Sequence, residues 1–157
     1  MHNVKPGTLS AAIAGISLLL CGAPLFAGEP PTLTRVALPP KETPAASVYF
    51  MLTAPRDREI HVIVDKVAVS GPSKLNGVPV RLPHHKVAEL KNGRWKEIRT
   101  AQCASPDYVR LKPSQKLVVK VEPPESKLPW RIGIPAYAAA PGPNVAVETV
   151  WGPSSAK

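Results

Sequence analysis

A thiol, a histidine pair and a few carboxylates are the residues of this chain that could carry reaction chemistry. Cys103 is the thiol, and His84-His85 is the only adjacent histidine pair in the 157-residue sequence. A cysteine and a histidine in hydrogen-bond reach make a nucleophile and its base. Such a thiol needs a setting that lowers its pKa, and neither a Gly-rich turn nor a helix start flanks Cys103. Adjacent residues on an extended chain point to opposite faces, so His84 and His85 on a strand cannot share one metal ion. No Cys or Asp lies close by in sequence to complete a tetrahedral site. His61 stands alone between Ile60 and Val62. Asp57 with Glu59, or Asp65 across a sheet, could pair as in glycoside hydrolysis, but Arg and Lys surround both positions, which favours surface ion pairing. Ser70-Gly71 and Ser105-Pro106 are not nucleophile elbows. The expectation is a chain without catalytic residues, metal or cofactor, with a hydrolase as the remote alternative.

Aromatic and basic residues offer binding chemistry instead. Trp95, Trp151 and Tyr137 are the aromatics that could stand exposed and stack on a sugar, whereas Trp130 shares a strand face with Ile132 and Ile134 and is expected in the core. Tyr108 is expected at a strand corner with its hydroxyl bonded to backbone. Arg56, Arg58, Lys91 and Arg94 are the basic residues placed to meet an anionic partner. The net charge is +9, which favours lipid headgroups, acidic polysaccharide or phosphate polymers. The charges are scattered with no run of four basic residues, which argues against a nucleic-acid groove.

The elements that hold these residues follow from proline. All but Pro6 and Pro24 of the 20 prolines lie after residue 27, spread so that most gaps are too short for a good helix. Short alternating runs sit between them, which is the strand signal. Val36 and Leu38 begin the series. Val48, Phe50 and Leu52 then share one face, with Tyr49 and Met51 on the other. A long strand is expected from Glu59 to Ser70, with a bulge near Asp65-Lys66 absorbing a change of phase. Val78, Val80 and Leu82 with Pro79 suit a sheet edge. Asn92-Gly93 between Val87–Leu90 and Trp95–Ile98 is a strong hairpin signal, because both residues tolerate positive φ. Tyr108–Leu111 and Leu117–Glu122 follow, joined through Lys112-Pro113-Ser114-Gln115. Trp130–Ile134 and Val145–Trp151 complete the set. Loops 70–77, 100–107 and 135–144 are the expected contact loops, with Tyr137 in the last.

The stretch Tyr108-Val-Arg-Leu-Lys-Pro-Ser-Gln-Lys-Leu-Val-Val-Lys-Val121, followed by Pro129-Trp-Arg-Ile-Gly-Ile134, resembles the second half of immunoglobulin-like and fibronectin-type sandwich domains of exported bacterial proteins. In those domains a Leu-x-Pro-Gly-Glu turn precedes an alternating strand; Ser114 and Gln115 stand here in place of the Gly and Glu. The hairpin Leu90–Ile98 is similar to one that precedes that turn. The resemblance spans about Val87 to Ile134. It implies an all-β, single antiparallel immunoglobulin-like sandwich, and it carries over no catalytic residue.

The N-terminus sets the compartment. Lys5 is the only Lys, Arg, Asp or Glu before Ala27, and residues 10–27 are apolar or small. A basic head, an apolar middle and a small-residue end predict a secretory signal peptide over residues 1–27. Its removal lowers the net charge from +9 to +8 and takes Cys21 with it, leaving Cys103 without a partner in the chain. Cys103 is then either buried or free to pair between chains. Residues 10–27 retained as a membrane anchor, or Cys21 as a lipoprotein cysteine, are the alternatives. A spanning helix needs about 20 apolar residues, and Gly22 and Pro24 interrupt this run. The expected organisation is a disordered segment over 28–33, the sandwich over 34–151 and a disordered tail over 152–157. Taken together, the sequence predicts a periplasmic or secreted, non-enzymatic sandwich that binds or packs against another envelope component, an anionic one by its charge. A carbohydrate-binding module is the second reading.

Overall fold

A computed structural model describes residues 28–37, 47–67 and 71–155. The signal peptide expected over residues 1–27 lies outside them, as do Leu38 and Ser70. The described residues contain eleven strands and no helix. Two sheets divide them. The first is ordered β1(Thr32–Val36), β2(Val48–Thr53), β9(Lys116–Val121), β5(Val78–Arg81), β4(Lys74–Leu75). The second runs β7(Arg94–Ala101), β6(His85–Lys91), β10(Trp130–Tyr137), β3(Ile60–Asp65), β8(Pro106–Leu111), with β11(Val147–Trp151) on the other edge of β10.

Alternation builds the interior between the sheets. Phe50, Leu52, Leu117, Val119 and Val121 of the first sheet meet Ile60, Val62, Val87, Ile132 and Ile134 of the second in one cluster. Each large aliphatic side chain buried there contributes about 1.5–3 kcal/mol relative to exposure. Trp130 is 8% exposed and packs edge-on against Phe50, with ring centroids 6.3 Å apart. The opposite phase of β2 is buried as well: Tyr49, Leu75, Val80 and Val118 form a second cluster on the outward side of the first sheet.

Several expectations change. Pairing is antiparallel except between β5 and β9, which run parallel with Val80 beside Val118. β5 is therefore not an edge: β9 flanks it on one side and the two-residue β4 on the other. The β4–β5 turn is a second Asn-Gly pair, Asn76 and Gly77, with φ of 49° and 78°. The strand expected to run to Ser70 stops at Asp65, without a bulge there. The Asp65 carboxylate accepts hydrogen bonds from the amides of Val67 (3.1 Å) and Ala104 (2.9 Å), which turns the chain out of the sheet. Within the end segments 28–33 and 152–157, the described residues 32–33 and 152–155 make contacts with the sheets. β1 starts at Thr32 with Leu33 buried, and Gly152 and Ser155 donate to the carbonyls of Ile132 and Trp130. Tyr108 is 53% exposed in mid-strand rather than tucked into a corner. Ser114 takes a φ of 61°, the conformation that a glycine in this turn would adopt freely.

One hairpin positions everything that follows. Asn92 and Gly93, with φ of 53° and 73°, close β6 onto β7 in the manner of a type I′ turn. A bulge interrupts the pairing: Val87 faces Arg99 while Ala88 faces Glu97, so Ile98 has no partner. The extra residue shifts the phase of β7. Glu97 therefore shares the outward side with Ala88, whereas Arg99, two residues on, shares the inward side with Val87.

Candidate functional site

Register assigns the outward side of the second sheet. Arg131 pairs with Ala88, and Gly133 pairs with Trp151 across β10 and β11. Trp95 pairs with Leu90 across the hairpin. Inward-pointing Trp130 and Ile132 alternate with Arg131 and Gly133, so Trp95, Arg131 and Trp151 all lie on the outer face. There the guanidinium of Arg131 sits 4.4 Å from the ring centroids of both Trp95 and Trp151. Cation–π contacts of this kind contribute about 0.5–2 kcal/mol, more as water is excluded. Nε of Arg131 is buried and has no hydrogen-bond partner, so the rings are its visible compensation.

Glycine makes the arrangement fit. A Cβ on Gly133 would lie 2.5 Å from Thr149 Cγ2 and 3.0 Å from two ring carbons of Trp151. Trp151 thus rests directly over the backbone of β10. Ala88 is small for the same reason: although on the outer side, it is 2% exposed. The consequence for sugar binding is specific. Trp95 and Trp151 each give part of their ring surface to Arg131, so they do not form a bare coplanar platform.

The tip of the hairpin carries the charge. Lys91, Asn92, Arg94, Trp95 and Lys96 line an open groove with no carboxylate among them. Three cations and one indole thus border one open groove. Lys96 was not singled out by sequence; the alternation Arg94, Trp95, Lys96 after an Asn-Gly turn is the signal that marks it.

The remaining predicted residues lie elsewhere. Arg56 and Arg58 precede β3, near His61 and Tyr137, whereas Trp95 and Arg94 lie beyond the Trp130 end of β10. Carboxylates attend them: Arg56 is 3.9 Å from Glu29, and Arg58 is 3.5 Å from Asp57. The basic set is therefore split between two ends of the sheet. Tyr137 is not in a loop; it closes β10, paired with His61 and Val147 on the outer face. Glu59 is engaged by Arg110, whose Nε donates at 2.7 Å, so the suggested carboxylate pairs are ion-paired or capping groups.

Cys103 and His85 come together where the sequence only allowed it. Both line a cavity of about 300 Å³ at the base of the β6–β7 hairpin, with Asp65, Arg99, Lys120 and Glu122. Cys103 is half-buried, and burial with the Asp65 carboxylate pushes its thiol up in pKa. One polar contact is the Leu82 carbonyl, 3.9 Å away, and the His84 backbone supplies another. That setting holds a thiol rather than a nucleophilic thiolate. Burial lowers the pKa of His85 and keeps its ring neutral. Among the described residues, no group of three or more His, Cys, Asp or Glu is placed to hold a metal ion. No family model, curated protein or solved structure matches the chain, so both regions are read from their own geometry.

Proposed function

We propose that the chain is an exported, non-enzymatic binding module of immunoglobulin-like build, whose hairpin tip and adjoining outer face take an acidic polysaccharide of the cell envelope. The observation that carries this reading is the groove of Lys91, Arg94 and Lys96 around Trp95, unopposed by any lining carboxylate. Cations attract the acid groups of such a polymer, and the indole packs against the apolar face of a sugar ring. Arg131 and Trp151 act behind them as a brace that holds Trp95 in place. Export rests on the basic, apolar and small-residue sequence of residues 1–27. The immunoglobulin-like build is supported by the order β1-β2-β9 in one sheet against β8-β3-β10-β11 in the other, with β4 to β7 as an insertion.

Retention on immobilised polygalacturonate, compared with neutral dextran at low and high salt, tests the reading. Polygalacturonate is expected to hold the protein at low salt and release it as salt screens the cations. Trp95→Ala should weaken retention at every salt concentration. Retention that ignores salt, or that is equal on dextran, removes the proposal. N-terminal sequencing of exported material tests the leader, with Gly28 expected as the first residue.

A further inference from the structure

We infer that the cavity at the base of the β6–β7 hairpin is a second binding site, for a small carboxylate that bears a neighbouring hydroxyl or ammonium group. It lies at the opposite end of the hairpin from Trp95, bounded by His85 and Ala101 rather than by Asn92 and Gly93. Its volume of about 300 Å³ is at the lower end for small-molecule sites.

His85 gives the site its polarity. The residue is 7% exposed, and its Nδ1 lies 2.9 Å from the Pro83 carbonyl. A carbonyl only accepts, so Nδ1 carries the proton and Nε2 presents a lone pair. Nε2 is buried and has no partner. A buried acceptor left unpaired costs about as much as a lost hydrogen bond, and a ligand donor placed there recovers it. That requirement selects a hydroxyl or an ammonium group.

A cation on the same wall selects the other half of the ligand. Arg99 is brought to this side by the bulge at Ile98 and is fixed by a hydrogen bond from Nη2 to the Glu122 carbonyl at 2.9 Å. One contact leaves most of the five guanidinium N–H groups for a carboxylate. Lys120 and Glu122 also border the cavity, from β9 and the residue after it. The Asp65 carboxylate accepts from the amides of Val67 and Ala104, which fixes it at the cavity edge. Cys103 borders the same space, so an occupant must cover its sulfur.

The test uses that coverage. Alkylation of Cys103 by iodoacetamide at mildly alkaline pH is followed by intact mass, with gluconate, L-alanine or propionate added. Gluconate supplies the hydroxyl arm, L-alanine the ammonium arm, and propionate the carboxylate alone. We expect gluconate or L-alanine to slow alkylation at least tenfold and propionate to have little effect. Whichever of the two protects identifies the donor. Arg99→Ala, at an exposed strand position, should abolish protection while a cooperative thermal unfolding transition is retained. In the unsubstituted protein, the protecting ligand should also shift the 15N resonance of His85 Nε2, which needs no variant to fold. Equal protection by propionate would overturn the inference, as would no protection by any of the three or a His85 resonance that does not move.

Discussion

The two ends of the β6–β7 hairpin differ in how they are made. The tip is local: Asn92 and Gly93 turn the chain, and every residue that lines its groove lies between Lys91 and Lys96. The base is assembled from distant segments, with Asp65 from β3, His85 and Arg99 from the hairpin, Cys103 from a loop and Lys120 from the other sheet. The tip is open and strongly cationic, whereas the base is a half-open cavity of mixed charge. A single bulge separates the two, because it lets one strand serve the outer face at Trp95 and the inner side at Arg99. Surface charge and turn chemistry suffice for the first region. The second exists only if the whole sandwich closes.

The largest way to disturb this contrast is at the brace behind the tip. Gly133→Ala places a methyl group against Thr149 and Trp151 and should cost roughly 2 kcal/mol, as overpacking does. Urea denaturation measures the loss, and a changed Trp fluorescence in the folded baseline should accompany it. Asn92→Ala comes next. The residue holds a φ of 53°, so alanine there should cost about 1 kcal/mol. It should weaken polygalacturonate retention while the alkylation rate of Cys103 stays as it was. A double-mutant cycle with Trp95→Ala and Arg131→Ala should return a coupling of about 0.5–1 kcal/mol, the range for a partly exposed cation–π pair. A coupling near zero would mean that Arg131 does not brace Trp95.

The subtlest test is titration, which should separate base from tip. His85 has a folded pKa below its ordinary 6.5, chiefly through burial, with Arg99 and His84 adding to the effect and the Pro83 carbonyl and Glu122 opposing it. The unfolded chain therefore binds a proton that the folded chain resists. Stability is complete above about pH 6.5 and falls as pH drops through that value toward the folded pKa. His84 is lowered in the same direction and adds to the slope. Denaturation midpoints at mildly acidic and neutral pH should show the decline, and His85→Gln should flatten most of it. Asp65 acts in a lower window. Its pKa is depressed chiefly by the Val67 amide, so its contribution is present above the ordinary carboxylate range and is lost as pH falls below it.

What the sequence reveals and what it hides follow the same division. Period-two alternation placed Phe50, Leu52, Leu117, Val119, Ile132 and Ile134 in the core, and Asn92-Gly93 placed the hairpin. Both are properties of neighbouring residues. The end of β3 was misplaced because Asp65 stops the strand through an amide of the distant loop at Ala104, which no local pattern records. Asn76-Gly77 carried the same turn signal as Asn92-Gly93, yet its strands are too short for alternation to show. Lys91, Arg94 and Trp95 could be found as neighbours, and the structure adds that Arg56 and Arg58 belong to another end. Arg131 could not be found at all. As a charged residue between Trp130 and Ile132 it looks like any outward strand position, and only the register of β10 with β11 and β6 brings two indoles to it.

The parallel pairing of β5 with β9 bears on the order in which the chain acquires its structure. A hairpin such as β6–β7 can zip from its turn within microseconds. β5 instead meets β9 only after β6, β7 and β8 have been traversed, so a long loop must close before Val80 finds Val118. The β4–β5 segment should therefore join late during folding and open early during unfolding. In native-state hydrogen exchange, the Val80 amide, which donates to the Ser73 carbonyl, should exchange well before those of β2, which pairs with β9 along its whole length and with β1 from Tyr49 to Thr53. Opening there uncovers Tyr49 and Val118, so this is the part of the molecule at which a protease or a second chain would first gain entry.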